Sequence, residues 1–101
     1  MEKAVVLFEA TNLSSQDYDN ILKELDAAGK LYDERRLSHV SYNRNGTWCV
    51  VDVWESKEAF DDFAQNTLMP VFGKLGLNPT PPTILPAHFY MGAHAEEAIS
   101  A

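Results

Sequence analysis

At 101 residues and 11.3 kDa the chain has room for one domain and a single core. Fifteen acidic residues against eight basic ones give a net charge of −7. Such a chain repels phosphate backbones and anionic lipid, which sets nucleic-acid and membrane-surface roles aside. A 46% hydrophobic share argues against disorder. The longest early apolar run, Ala4 to Phe8, stops at Glu9, and no run approaches the ~20 residues of a membrane helix. Cys49 is the only cysteine, so no intrachain disulfide can form and no Cys-x-x-Cys chemistry is available. The chain reads as cytoplasmic.

Residues 4–10 are short, β-branched and nearly all apolar, the pattern of a strand covered on both faces. Ser14-Ser15-Gln16-Asp17 then reads as a capping box, a hydroxyl for an orphan N–H with an acid three residues on. Behind it Tyr18, Ile21, Leu22, Leu25 and Ala28 recur at helical spacing, and Gly29 offers a stop. Residues 38–44 and 47–54 flank Asn45-Gly46, the dipeptide that best tolerates the positive φ of a type I′ hairpin turn. Ser56 caps a second helix with the stripe Phe60, Phe63, Ala64, Thr67, Leu68, Val71, Phe72 and Leu75. Pro70 should kink or restart that helix. Pro79, Pro81 and Pro82 stiffen a connector, and a last strand is expected over 84–91, followed by a frayed tail over 94–101. The whole of 1–93 is then one domain of order β-α-β-β-α-β. Right-handed crossovers make this an α+β, ferredoxin-like fold, an antiparallel sheet ordered 4-1-3-2 with both helices on one face.

Two helices cover one face only, yet strands 1 and 3 look apolar on both. Strand 3 offers Cys49, Val51 and Val53 on one side, which we assign to the helices, and Trp48, Val50 and Trp54 on the other. A bare apolar face of that extent exceeds what soluble monomers expose. The partner that fits is a second copy, sheet against sheet about a two-fold axis, so a homodimer is expected.

The hairpin turn fixes a register. If Asn45-Gly46 is a two-residue loop, cross-strand partners sum to 91, and His39 stands opposite Asp52 with side chains ~5 Å apart. This sets an imidazole beside a carboxylate on the face of Trp48 and Trp54, where the carboxylate fixes the tautomer of a general base. A three-residue loop with a bulge would shift the register by one and dissolve the pair.

The segment Gly46-Thr47-Trp48-Cys49-Val50-Val51-Asp52-Val53-Trp54-Glu55-Ser56-Lys57-Glu58-Ala59-Phe60, with His39-Val40 opening strand 2 and Pro86-Ala87-His88 in strand 4, resembles the dimeric α+β barrel superfamily. Within it the chain is similar to the antibiotic-biosynthesis-monooxygenase-like branch and its small bacterial members. The resemblance implies face-to-face dimers with a small pocket in each subunit. Members range over cofactor-free oxygenases of aromatic polyketides, haem-degrading enzymes and isomerases, so the fold alone does not settle an activity. Monooxygenase-like relatives often carry a histidine on helix 2 nine residues after the strand-ending Trp or Tyr. Here that position is Phe63, which weakens the oxygenase reading.

On this reading the chain binds a small apolar or aromatic molecule without a cofactor. His39 would act as base, Asp52 as its orienting partner and His88, on the far edge strand, as a second polar group. Trp48 and Trp54 would supply a water-excluding wall, with Tyr42 and Tyr90 as further ring surfaces. A haem would need one histidine as axial ligand, and nothing else in the sequence supports one. His39, His88 and His94 lack zinc-motif spacing, so no metal is expected. Arg35-Arg36 can be read as a clamp for a ligand carboxylate or as surface arginines. The competing reading of the whole is a non-catalytic, binding or stress-associated dimer whose His39–Asp52 pair is structural and whose aromatic residues are core.

Overall fold

The computed structural model describes residues 2–92. Strand β1 (Ala4–Ala10) leads to helix α1 (Ser15–Ala27) and a hairpin of β2 (Arg36–Arg44) and β3 (Thr47–Trp54). Helix α2 (Lys57–Phe63) runs through a π-helical turn, Ala64–Leu68, into α3 (Met69–Leu75), and β4 (Thr83–Pro86) closes the order. The sheet is antiparallel in the order β2-β3-β1-β4, the expected ferredoxin-like arrangement.

Local chemistry accounts for the boundaries. The Ser14 hydroxyl accepts from the Asp17 N–H at 3.0 Å while the Asp17 carboxylate accepts from the Ser14 N–H at 3.1 Å. Gly29, at φ 71°, lets Lys30 donate back to the Leu25 carbonyl and ends α1. Asn45 and Gly46 sit at φ 51° and 92°, with the Gly46 N–H bonded to the Asn43 side chain. Arg44 therefore pairs with Thr47, and His39 stands opposite Asp52. Pro70 has no N–H to give to Asn66, and the π-helical turn lies directly before α3, where the proline takes an opening position.

Three expectations are corrected. The last strand ends at Pro86 rather than running to 91. Pro86 cannot donate to the ladder and pairs with Ala4, the first residue of β1, so little strand remains to pair with. His88 and Tyr90 consequently lie beyond the sheet. Strand β2 begins two residues earlier than expected, at Arg36, and carries a bulge between Arg36 and Ser38.

The third correction concerns the faces. The core under the helices is built from Val6, Trp54, Ile21, Leu25, Ala59, Phe60, Phe63 and Phe72. The residues in phase with Trp54 on β3, namely Trp48, Val50 and Asp52, therefore face the helices, and so does His39. Cys49, Val51 and Val53 point to the open side, the reverse of the expected assignment. Bulk decides this, because filling the space between a sheet and its helices takes aromatic side chains, and Phe8, Trp48 and Trp54 share one parity. Cys49 is nonetheless buried, flanked on its strand neighbours by Glu9 and Tyr42. The tail from 94, with His94, lies outside the described residues.

Candidate functional site

A cavity of about 380 Å³ opens between the sheet and the helices. Phe8, Val50, Ile21, Leu22, Leu25, Phe60 and Phe72 make it apolar, and Tyr18, Arg36, His39, Trp48 and Asp52 bring polar groups to it. Tyr32, 88% exposed, stands at its rim. A second hollow of about 270 Å³ adjoins it under the proline connector, sharing Phe8, Phe60, Leu68 and Phe72.

The polar groups form a continuous chain. Indole is a donor only, so the bond of 3.1 Å from Trp54 Nε1 makes Asp52 Oδ2 an acceptor. The other oxygen, Oδ1, lies 2.5 Å from His39 Nδ1. With both carboxylate oxygens accepting, the His39 proton belongs on Nδ1, and Nε2 is left as an acceptor. The Tyr18 hydroxyl fills it at 2.6 Å. The Asp52 side chain is 6% exposed and that of His39 28%, so the chain runs from the core out to the cavity. Tyr18 lies parallel to the His39 ring and tilted on Trp48, with ring centroids 6.1 and 5.2 Å apart.

The sequence-derived candidates separate accordingly. His39, Asp52 and Trp48 meet at the cavity. Trp54 is fully buried beneath Phe60 and Phe63 and is no part of the cavity wall, so its contribution is the bond to Asp52. Tyr42 is on the open face, 44% exposed. His88 is exposed and Tyr90 half-buried, both past the end of β4 and neither lining the cavity. Phe63 does line it, packed against Trp54.

Tyr18 escaped the sequence reading because it falls on the apolar stripe of α1 and counts there as core. The available signal was its hydroxyl, which needs a partner when the ring is packed. Arg36 was half seen. Arg35 is occupied by Asp33, which accepts from Nε, Nη2 and the backbone N–H, and by Asp62, which accepts from Nη1 at 2.9 Å. The bulge around Leu37 instead turns Arg36 to the helix side, where its guanidinium lies 5.7 Å from the rings of Trp54 and Phe63. Among the described residues no group of three or more His, Cys, Asp or Glu side chains could hold a metal ion. Nor is any helix among them long and apolar enough to cross a membrane.

No family model matches the chain, and no curated protein is detectably similar to it.

Proposed function

We propose that the chain is a homodimeric α+β barrel protein whose cavity binds a small, largely apolar or aromatic molecule. On this reading the site removes a proton from that molecule, as a cofactor-independent monooxygenase-like enzyme or an isomerase does. The observation that carries it is the cavity of about 380 Å³ in contact with His39, within the ~300–1,000 Å³ of small-molecule sites. The resemblance of residues 46–60 to the antibiotic-biosynthesis-monooxygenase-like branch supports the same reading.

Because Tyr18 occupies His39 Nε2, the tyrosine hydroxyl is the group that meets the ligand. As it takes a substrate proton it passes its own to Nε2, and the Asp52 carboxylate stabilises the imidazolium that results. A carbanion spread over an aromatic or enolisable body can then be reprotonated at another carbon, or captured by dioxygen as co-reactant. The packed walls keep water from the charge while it exists.

The dimer is proposed through the open face. Val5, Leu7, Val51 and Val53 form its centre, and Val40, Tyr42 and Leu85 are exposed around them. Its charged pair, Arg44 and Glu9, is mutually neutralised at 2.8 Å. Two copies of a chain of net charge −7 can therefore meet there without opposing like charges.

Deuterium exchange into a polyketide-like phenol with an acidic C–H tests the chemistry. The wild type should accelerate exchange, and Tyr18→Phe and His39→Ala should slow it ~10²-fold or more while still binding. One observation favours the alternative of a non-catalytic module: each link of the Tyr18–His39–Asp52–Trp54 chain is already satisfied within the fold. Binding of the phenol with no acceleration of exchange would establish that alternative.

A further inference from the structure

We propose that the ligand of this cavity is an organic anion, a flat apolar body carrying a carboxylate, with Arg36 as its anchor. The inference rests on the cavity being the ligand site and adds the ligand's charge and the residue that reads it.

The chain is acidic, and its arginines show where that acid goes. Arg35 is paired with Asp33 and Asp62, and Arg44 with Glu9. Arg36 is the arginine that faces the cavity, and among the described residues no carboxylate pairs with it. Its Nη2 donates to the Leu31 carbonyl at 2.6 Å, which holds the group in place and leaves most of its five N–H donors unspent. The rings of Trp54 and Phe63 lie against it on the core side.

Asp33 feels the Arg36 charge, but both of its oxygens are bonded to Arg35. Asp52, the one acid of the cavity wall, has its own oxygens taken by His39 and Trp54. A half-buried guanidinium with free donors beside an apolar space recognises a planar two-oxygen anion better than any neutral group. The other end of the cavity, beside Tyr18, offers a second polar contact. Trp48 also lines the cavity, and its Nε1 is buried with no hydrogen-bond partner. Such a donor is costly to leave unmade, and a ligand oxygen would satisfy it.

The backbone is arranged for this. Without the bulge, alternation along β2 would send residue 36 to the open face, since His39 faces the helices. The extra residue at Leu37 puts Arg36 and His39 on the same face. The anchor and the proton relay thus stand on one strand, ~7–10 Å apart by strand geometry, a spacing that holds an acid headgroup at one end and presents ring carbon to Tyr18.

Three probes of one shape test the proposal: 2-naphthoate, 2-naphthalenemethanol and 2-naphthylmethylammonium, titrated by calorimetry at pH 7. The wild type should bind naphthoate about tenfold to a hundredfold more tightly than the alcohol, and the ammonium most weakly. Arg36→Met, which keeps an apolar stem, should bring naphthoate down to the level of the alcohol and leave the alcohol unchanged. Trp48→Phe, at the Tyr18 end, should leave the preference for naphthoate over the alcohol in place. Equal binding of naphthoate and alcohol by the wild type overturns the anchor while leaving the cavity as a neutral ligand site. Failure of all three probes to bind overturns the cavity reading along with the anchor. The wild-type comparison decides the matter even if Arg36→Met fails to fold.

Discussion

The two faces of the sheet are equally apolar along β1 and β3, and they do different things. The helix side carries the large rings, Phe8, Trp48 and Trp54, and among them the buried Asp52 with its partners. The open side carries smaller aliphatic residues, Val5, Leu7, Val51 and Val53, and places its charged pair, Glu9 with Arg44, at the hairpin end. Rings of unequal shape leave gaps where they meet a helix, and those gaps become a cavity in which polar groups can be held. Short branched side chains make an even surface suited to a second surface of the same kind. Hydrophobicity is common to both faces, and side-chain size separates them.

Neighbouring residues of β1 put that contrast to its hardest test. Val6 is fully buried under the helices and Leu7 is half-buried on the open side. Val6→Asp should abolish the folded state, at a cost above ~4 kcal/mol for an unpaired charge in the core, seen as loss of near-ultraviolet dichroism. Leu7→Asp should leave the subunit folded and convert a dimer to a monomer in sedimentation equilibrium. A wild type that sediments as a monomer, or a Leu7→Asp variant with unchanged mass, would remove the dimer from this face.

Trp54 separates packing from polarity within the helix side. Trp54→Ala should cost ~3–5 kcal/mol in urea unfolding, since it empties a fully buried site against Phe60 and Phe63. Trp54→Phe keeps most of the ring but strips the donor from Asp52 Oδ2, and should cost ~1–3 kcal/mol. Tyr42→Ala on the open face should cost the isolated subunit less than ~1 kcal/mol. If Trp54→Phe proves neutral, the bond to Asp52 does not hold the relay.

The element order, the capped start of α1 and the His39–Asp52 register were all legible in the sequence, because each depends on residues close in the chain. Asn45-Gly46 alone sets the sum that brings residues 39 and 52 together. The side of the sheet taken by the helices was not legible from alternation in β1 and β3, where both parities are apolar. Alternation in β2 points the wrong way, since its apolar Val40 and Tyr42 lie on the open face and its polar His39, Ser41 and Asn43 under the helices, and the usable signal was the size of Trp54. The bulge at Leu37 left no mark in composition, so Arg36 could not be told from Arg35. The end of β4 depended on where β1 begins, a tertiary fact. Tyr18 was hidden by its own periodicity, since a helix stripe cannot distinguish a ring that packs from a ring whose hydroxyl also bonds across to a strand.

A finer cut compares Tyr18 with its role in packing. Tyr18→Phe removes one hydroxyl from a contact of 2.6 Å and should cost only ~0.5–1.5 kcal/mol of stability. Its effect on proton exchange should be far greater than that figure. A loss of exchange no larger than the loss of stability would return Tyr18 to the core.

The smallest expected effect lies where the chain enters β2. Arg35 holds the Asp33 carboxyl below its ordinary value of 3.8, through the side-chain hydrogen bond first, against the opposing push of burial and with help from the Arg35 backbone N–H. A carboxyl lowered by folding adds stability that is fully present above pH 3.8 and is lost as the pH falls through the folded-state value. Asp33→Asn should therefore cost below ~1 kcal/mol near neutrality, the range of partly exposed pairs. In urea unfolding followed downward from pH 7, the difference between wild type and variant should hold above pH 3.8 and shrink as the pH falls below it. The comparison matters because this pair occupies Arg35 and so leaves Arg36 as the arginine that turns to the cavity. If the two proteins keep a constant difference across the range, the Asp33 charge is not what holds Arg35, and the separation of the two arginines must come from the bulge alone.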